Sequence, residues 1–196
     1  MRKIIMMNRV SIDGYFASLN EATFGMDWFV QDPEVDKFLH SDGRSDSKTL
    51  LLGEITYVGF ERAWVPMLTD PNTPPPLKAV AEELTNMKKV VFSTKLKESD
   101  WANTEFHDGN LVEVVKKLKN HDDNEGILIM GSGTIVQQLA NAGLIDEYMF
   151  IMTPVVAGKG KPLFKDVEQF SLKLLETKSF DSGNVVLRYE TVKKEQ

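Results

Sequence analysis

Three short stretches of this chain carry residues able to hold a phosphate, and each follows an apolar run. Ile127-Leu128-Ile129-Met130 ends in Gly131-Ser132-Gly133, after which Ile135, Val136, Leu139 and Ala142 recur at helical spacing. This pattern predicts a buried strand whose glycine turn opens a helix. Glycines let a ligand approach the backbone, and the unpaired N–H groups of a helix start favour an anion. Leu50-Leu51-Leu52 runs into Gly53-Glu54-Ile55-Thr56-Tyr57, a second such junction with a Thr hydroxyl at the helix start. Val90-Val91-Phe92 ends in Ser93-Thr94. Taken singly, each junction reads as well as a capped turn whose hydroxyls satisfy the backbone. Together they mean more, because strand ends of a parallel sheet share an edge, and three on one edge can line a nucleotide crevice.

Other residues offer chemistry with a structural alternative beside it. Asp13, in Ser11-Ile12-Asp13-Gly14, is either a substrate contact or half of an Asp-Gly turn. Asp32 and Glu34 open a helix beside Trp28, where carboxylates serve either proton transfer or capping and the helix dipole. Trp28, Phe38 and Trp64 can form an apolar wall. Gly158-Lys159-Gly160-Lys161-Pro162 is not a phosphate loop, since no Gly-Lys-Ser/Thr lies four residues after a first Gly and Pro162 sits where a helix should begin. His40, His107 and His121 are scattered without metal-ligand spacing, so no metal site is expected. The absence of cysteine excludes disulfides, thiolate zinc sites, iron–sulfur clusters and thiol nucleophiles.

The elements that must position these residues follow from periodicity. Lys3–Val10, Thr49–Leu52, Lys89–Phe92 and Gly126–Met130 are short, continuous and rich in Val, Ile and Leu, as strands buried on both faces are. Tyr148–Val156, Phe170–Glu176 and Asn184–Val192 follow; the last alternates, and Asp181-Ser182-Gly183-Asn184 predicts the turn of a hairpin. Helical stripes lie between the early strands: Val80, Leu84 and Met87; Leu111, Val114, Val115 and Leu118; and, after Asp32-Pro33, Val35, Phe38 and Leu39. Alternating strands and helices predict right-handed crossovers and a mostly parallel sheet covered on both faces. Pro66 to Pro76, with five prolines, reads as a loop, either a lid beside Trp64 or a surface connection.

The 196 residues suffice for one sizeable core, and a single domain over residues 1–196 is expected. A net charge of −6, with no basic cluster interleaved with aromatics, argues against nucleic acid as a partner. The apolar runs fall short of the roughly 20 residues that span a bilayer, and Ile4 to Met7 is too short for a signal segment. A cytoplasmic protein with no membrane partner is expected.

The order of motifs resembles the dihydrofolate-reductase-like superfamily. More narrowly, it resembles a stand-alone bacterial form of the C-terminal reductase domain of the bifunctional riboflavin-biosynthesis deaminase/reductase. The resemblance rests on Ser11-Ile12-Asp13-Gly14-Tyr15-Phe16-Ala17, Leu52–Tyr57, Lys89–Thr94, Gly131-Ser132-Gly133, Gly143–Tyr148 and Pro154–Phe164, in that order. It implies a three-layer α/β fold, a mostly parallel central sheet with an antiparallel C-terminal hairpin and helices on both faces. It further implies NADPH along the carboxyl edge, with NADH possible. Gly131, Ser132, Gly133, Thr134 and Ile135 would hold the pyrophosphate, Gly53, Thr56 and Tyr57 a second phosphate-facing helix start, and Ser93 and Thr94 the adenosine ribose and its 2′-phosphate. Ser11–Gly14 would border the nicotinamide. Glu54 departs from the pattern: the family often has Arg there, and a carboxylate repels phosphate, which bears on NADPH against NADH. Glu34 and Phe38 match the carboxylate-to-Phe spacing of dihydrofolate reductases, within divergent surroundings.

These readings converge on an NAD(P)H-dependent reductase. Hydride would pass to a small polar or heterocyclic C=O or C=N substrate, with Glu34 or Asp32 as proton source and Asp13, Trp28, Phe38 and Trp64 at the substrate. A homodimer, paired through the late strands as in relatives, is expected. Two alternatives stand: the riboflavin-pathway reduction of 5-amino-6-(5-phosphoribosylamino)uracil, and a nucleotide-binding scaffold or sensor without turnover.

Overall fold

The computed structural model describes residues 1–39, 47–121 and 125–192. His40 lies outside them. The chain runs β1 (Ile4–Ser11), β2 (Tyr15–Ala17), α1 (Pro33–Phe38), β3 (Ser47–Gly53), α2 (Glu54–Trp64), α3 (Pro75–Asn86), β4 (Lys88–Phe92), β5 (Thr104–His107), α4 (Leu111–Lys119), β6 (Gly126–Met130), α5 (Gly133–Asn141), β7 (Glu147–Thr153), β8 (Lys161–Pro162), β9 (Leu172–Ser179) and β10 (Val185–Thr191).

Eight strands form one sheet in the order β5-β4-β3-β6-β1-β7-β10-β9, while β2 and β8 form a separate small pair. From β5 to β7 every pairing is parallel. β10 runs antiparallel to both β7 and β9, so the expected C-terminal hairpin is present. β1 lies between β6 and β7, and that is why its residues are apolar in both parities. Ile4 and Met6 pack on one face with Leu51, Val90 and Ile129, under Val115 of α4 and Val136 of α5. Ile5 and Met7 pack on the other with Leu50, Leu52, Val91 and Leu128, under Val35 of α1, Tyr57 of α2 and Leu84 of α3. The result is three layers, and each fully buried aliphatic side chain adds roughly 1.5–3 kcal/mol relative to exposure.

The helix starts are set locally. The Asp32 side chain accepts the Glu34 N–H (2.9 Å) with Pro33 in the first turn, and Asn110 accepts the Glu113 N–H (3.1 Å). The proline-rich stretch is more ordered than expected. Pro66–Leu68 forms one 3-10 turn, and Pro75 and Pro76 open α3, where a missing N–H costs nothing. β5 was not expected, because Thr104-Glu105-Phe106-His107 is a polar edge strand recognisable only by its pairing with β4. β2 and β8 are too short to show a period. β9 starts at Leu172, later than Phe170, which instead packs in an aromatic cluster with Tyr148 (5.5 Å between centroids) and Phe164 (6.5 Å). Lys89, fully buried in β4, donates to the carbonyls of Leu84, Thr85 and Met87, each at 2.9 Å, and so caps the end of α3.

Candidate active site

A cleft of about 1820 Å³ runs along the carboxyl ends of β1, β3, β4, β5 and β6. A pocket for one small molecule is roughly 300–1,000 Å³, so this one has room for two. The three glycine and hydroxyl bends all reach it: Gly53, Thr56, Ser93, Thr94, Gly131, Ser132, Gly133, Thr134 and Ile135 line one continuous wall.

Two of these bends are locked together. The Gly53 N–H donates to Ser132 Oγ (2.9 Å), and the Ser132 N–H donates to Thr56 Oγ1 (3.0 Å). Gly131 (φ +60°) and Ser132 (φ 55°) are consecutive left-handed residues. A non-glycine there costs roughly 1–2 kcal/mol, so the Ser132 conformation is held by those bonds. Asn8 of β1 supports the loop by donating to the Gly131 carbonyl (3.2 Å). The turn aims the start of α5 into the cleft. The first-turn N–H groups of Gly133 and Thr134 have no preceding helical carbonyl to bond, which leaves donors that an anion can use. A dinucleotide pyrophosphate fits this donor set. Gly53, Thr56 and Ser132 thus build the loop through their mutual bonds.

Tyr57 is placed differently. It is 1% exposed and packs against Trp101 (5.7 Å) and Phe106 (5.5 Å), with burial pushing its hydroxyl pKa up. Its helical position turns it onto the core side of α2, while Thr56 faces the cleft.

Among the expected substrate and acid residues, Trp64 lines the cleft and the others do not. Asp13 receives the N–H groups of Ala157 (2.9 Å) and Gly158 (2.7 Å), which hold its carboxyl below the usual range. It sits in an Asp-Gly turn closed by Gly14 N–H to the Ser11 carbonyl (3.0 Å). Asp32 is occupied by its cap and by the Ser182 hydroxyl, chief cause of its lowered pKa. The Glu34 side chain is 72% exposed, outside the cleft lining, and lies 4.0 Å from the Lys37 ammonium. Trp28 stacks edge-on against Phe29 (4.6 Å), and it is Phe29 that enters the lining. Phe38 packs on Phe180 (5.9 Å).

The acid of α1 that does reach the cleft is Asp36, paired with Arg9 of β1 (2.9 Å). Arg9 Nη1 is buried and has no hydrogen-bond partner among the described residues. Sequence reasoning passed over Asn8 and Arg9, although two polar residues inside the run Ile4–Val10 were the available signal. Met7, Phe24, Met26, Leu39 and Phe60 complete an apolar flank with Trp64. Ser93, Thr94, Lys95, Asp108 and Asn110 make the opposite flank polar.

Comparison with known proteins agrees with this architecture. Residues 2–186 match the family model of the RibD C-terminal domain. The chain is 32% identical over 189 residues to the uncharacterized protein YyaP of Bacillus subtilis (strain 168), covering 96% of this chain and 94% of that protein. Its fold is similar to that of Acinetobacter baumannii RibD, with a TM-score of 0.67 and 16% identity, over 98% of this chain and 59% of the other. A pyrimidine reductase-like protein from Corynebacterium diphtheriae superposes with a TM-score of 0.63 and 13% identity, over 98% of this chain and 93% of that one. The chain belongs to the RibD C-terminal domain family of reductases.

Proposed function

We propose that this reductase uses a reduced nicotinamide dinucleotide, NADPH or NADH, to reduce a small polar or heterocyclic C=O or C=N substrate. The observation that carries the reading is the convergence of three strand-end bends on one cleft too large for a single small molecule. The bound cofactor would supply the hydride. The chain's own residues bind, orient and exclude water. Gly133 and Thr134 N–H groups at the start of α5 receive the pyrophosphate. Met7, Phe29, Leu39 and Trp64 form the dry flank suited to a nicotinamide ring and substrate. Arg9, held by Asp36, presents a guanidinium N–H to the substrate end, and Asp36 is the carboxylate of α1 placed to exchange a proton there.

Thermal unfolding with each dinucleotide tests this. A ligand at 100 times its Kd adds about 2.7 kcal/mol, which for a chain of this size is a rise in Tm of roughly 5–10 °C. No shift with either dinucleotide defeats the proposal.

One observation favours a more specific reading, the riboflavin-pathway reduction of an aminopyrimidine ribose phosphate. Arg9, Lys37 and Lys161, distant in sequence, all line the cleft, and Arg9 Nη1 has no hydrogen-bond partner among the described residues. Together they suit an anionic substrate. Rescue of a riboflavin auxotroph separates this from the broader activity.

The protein is proposed to act in the cytoplasm; among the described residues no helix is long and apolar enough to cross a membrane. A homodimer formed through the sheet edge at β9 is also proposed, supported by exposed Leu174 and Leu175 there.

A further inference from the structure

Building on the dinucleotide reading, we infer that Glu54 makes this cleft select a cofactor with a free ribose 2′-hydroxyl, NADH, over its 2′-phosphorylated counterpart, NADPH. Glu54 opens α2 and lines the cleft. Its Oε2 accepts the Ser93 hydroxyl at 2.5 Å. Ser93 Oγ in turn accepts the N–H groups of Lys95 (3.0 Å) and Leu96 (2.8 Å). A serine hydroxyl has one proton and two lone pairs, so Ser93 is saturated. It has no proton to offer a phosphate, and at 6% exposure its bond to Glu54 is shielded from water. Glu54 is half-buried and keeps unused lone pairs at the cleft wall. They can accept ribose hydroxyls, whereas a phosphate would meet like charge.

The position fits a nucleoside. The anion-binding start of α5 follows β6, while Glu54 and Ser93 follow β3 and β4, the next two strands in the sheet. At about 4.8 Å per strand, they lie roughly 5–10 Å along the edge, within reach of a ribose attached to that phosphate. The polar flank ending in Asn110 suits the adenosine, and the apolar flank at Trp64 suits the nicotinamide. Lys95 and Lys116, the lysines lining the polar flank, are exposed. An exposed ammonium offsets little of the repulsion between a carboxylate and a phosphate beside it. In dinucleotide sites of the Rossmann type, a carboxylate likewise bonds the 2′-hydroxyl and an arginine accommodates a 2′-phosphate.

Calorimetric titration of wild type, Glu54→Gln and Glu54→Arg with NADH and NADPH tests the inference. Melting curves accompany it to confirm that each variant folds. Wild type binds NADH at least about tenfold tighter, the weight of one charge-assisted hydrogen bond. Glu54→Gln narrows the ratio, and Glu54→Arg inverts it. Because a ratio of two affinities is read, a general weakening of the fold does not imitate the result. Equal or tighter binding of NADPH by wild type overturns the inference, as does an unchanged ratio in Glu54→Gln. If wild type binds neither dinucleotide, the reductase proposal itself fails, a different outcome from a reversed preference.

Discussion

Gly131 should resist replacement on two counts, backbone strain and crowding, and its cost can be separated into those parts. A Cβ there would lie 2.9 Å from Thr56 Cγ2 and 3.1 Å from Thr56 Oγ1, on a backbone with φ +60°. Gly143, just past the end of α5, has φ +62° and nothing within 4 Å of its Cβ position. Gly143→Ala therefore measures left-handed strain alone, about 1 kcal/mol, a fall in Tm of roughly 2–4 °C. Gly131→Ala carries the same strain plus a collision with Thr56, whose Oγ1 already accepts the Ser132 N–H. Crowding of that kind adds roughly 1–3 kcal/mol, for a total of about 2–4 kcal/mol. Relief requires either that Thr56 turn away and give up the Ser132 N–H or that the start of α5 move. Gly131→Ala should therefore also lose most of the dinucleotide-induced rise in Tm, while Gly143→Ala retains it. Paired thermal melts with and without NADH and NADPH check this. Equal destabilisation of the two variants, with full ligand response in Gly131→Ala, would refute the argument that the turn is built against Thr56 to aim the helix.

Other expectations follow from single contacts. Thr56→Val removes the acceptor of the Ser132 N–H and should cost about 1–3 kcal/mol, with Thr56→Ser restoring most of it in denaturant titrations. Burial alone would raise the pKa of Glu147, but bonds from Lys3 and Arg188 outweigh it and hold the carboxyl below its ordinary value. A depressed folded pKa contributes stability above the unfolded value of 4.5 and loses it as pH falls through the folded one. Glu147→Gln should thus cost about 1 kcal/mol at neutral pH, modest because Lys3 is half exposed. The gap from wild type should close in melts taken progressively below pH 4.5. Leu174→Lys on the exposed edge strand β9 should convert a dimer to a monomer in light scattering; an unchanged mass would remove that edge as the interface.

Much of the fold was legible because buried parallel strands and their covering helices leave strong periodic marks. β1, β3, β4 and β6 each read as an apolar run because each is packed on both faces, and Asp32 announces a helix start by chemistry that acts within a few residues. β5 was invisible because its strand state comes from pairing with β4, while its residues are those of a polar loop. Lys89 opens the apolar segment Lys89–Phe92, and nothing in its neighbours along the chain marks the ammonium as buried. Its burial depends on three carbonyls supplied by the end of α3.

What the sequence determined by itself is the set of local bends: where a strand stops, where glycine permits a left-handed turn, and where a helix presents free N–H groups. Those are properties of a few neighbouring residues. Only the tertiary structure decided which side chains share a space. It turned Tyr57 into the core and Thr56 into the cleft, left Glu34 in solvent, and brought Asp36 to Arg9 and Glu54 to Ser93. The physical reason is that a helix advances about 100° per residue, so one position along the chain changes the wall that a residue faces. The direction of that wall is set by the register of strands far away in sequence.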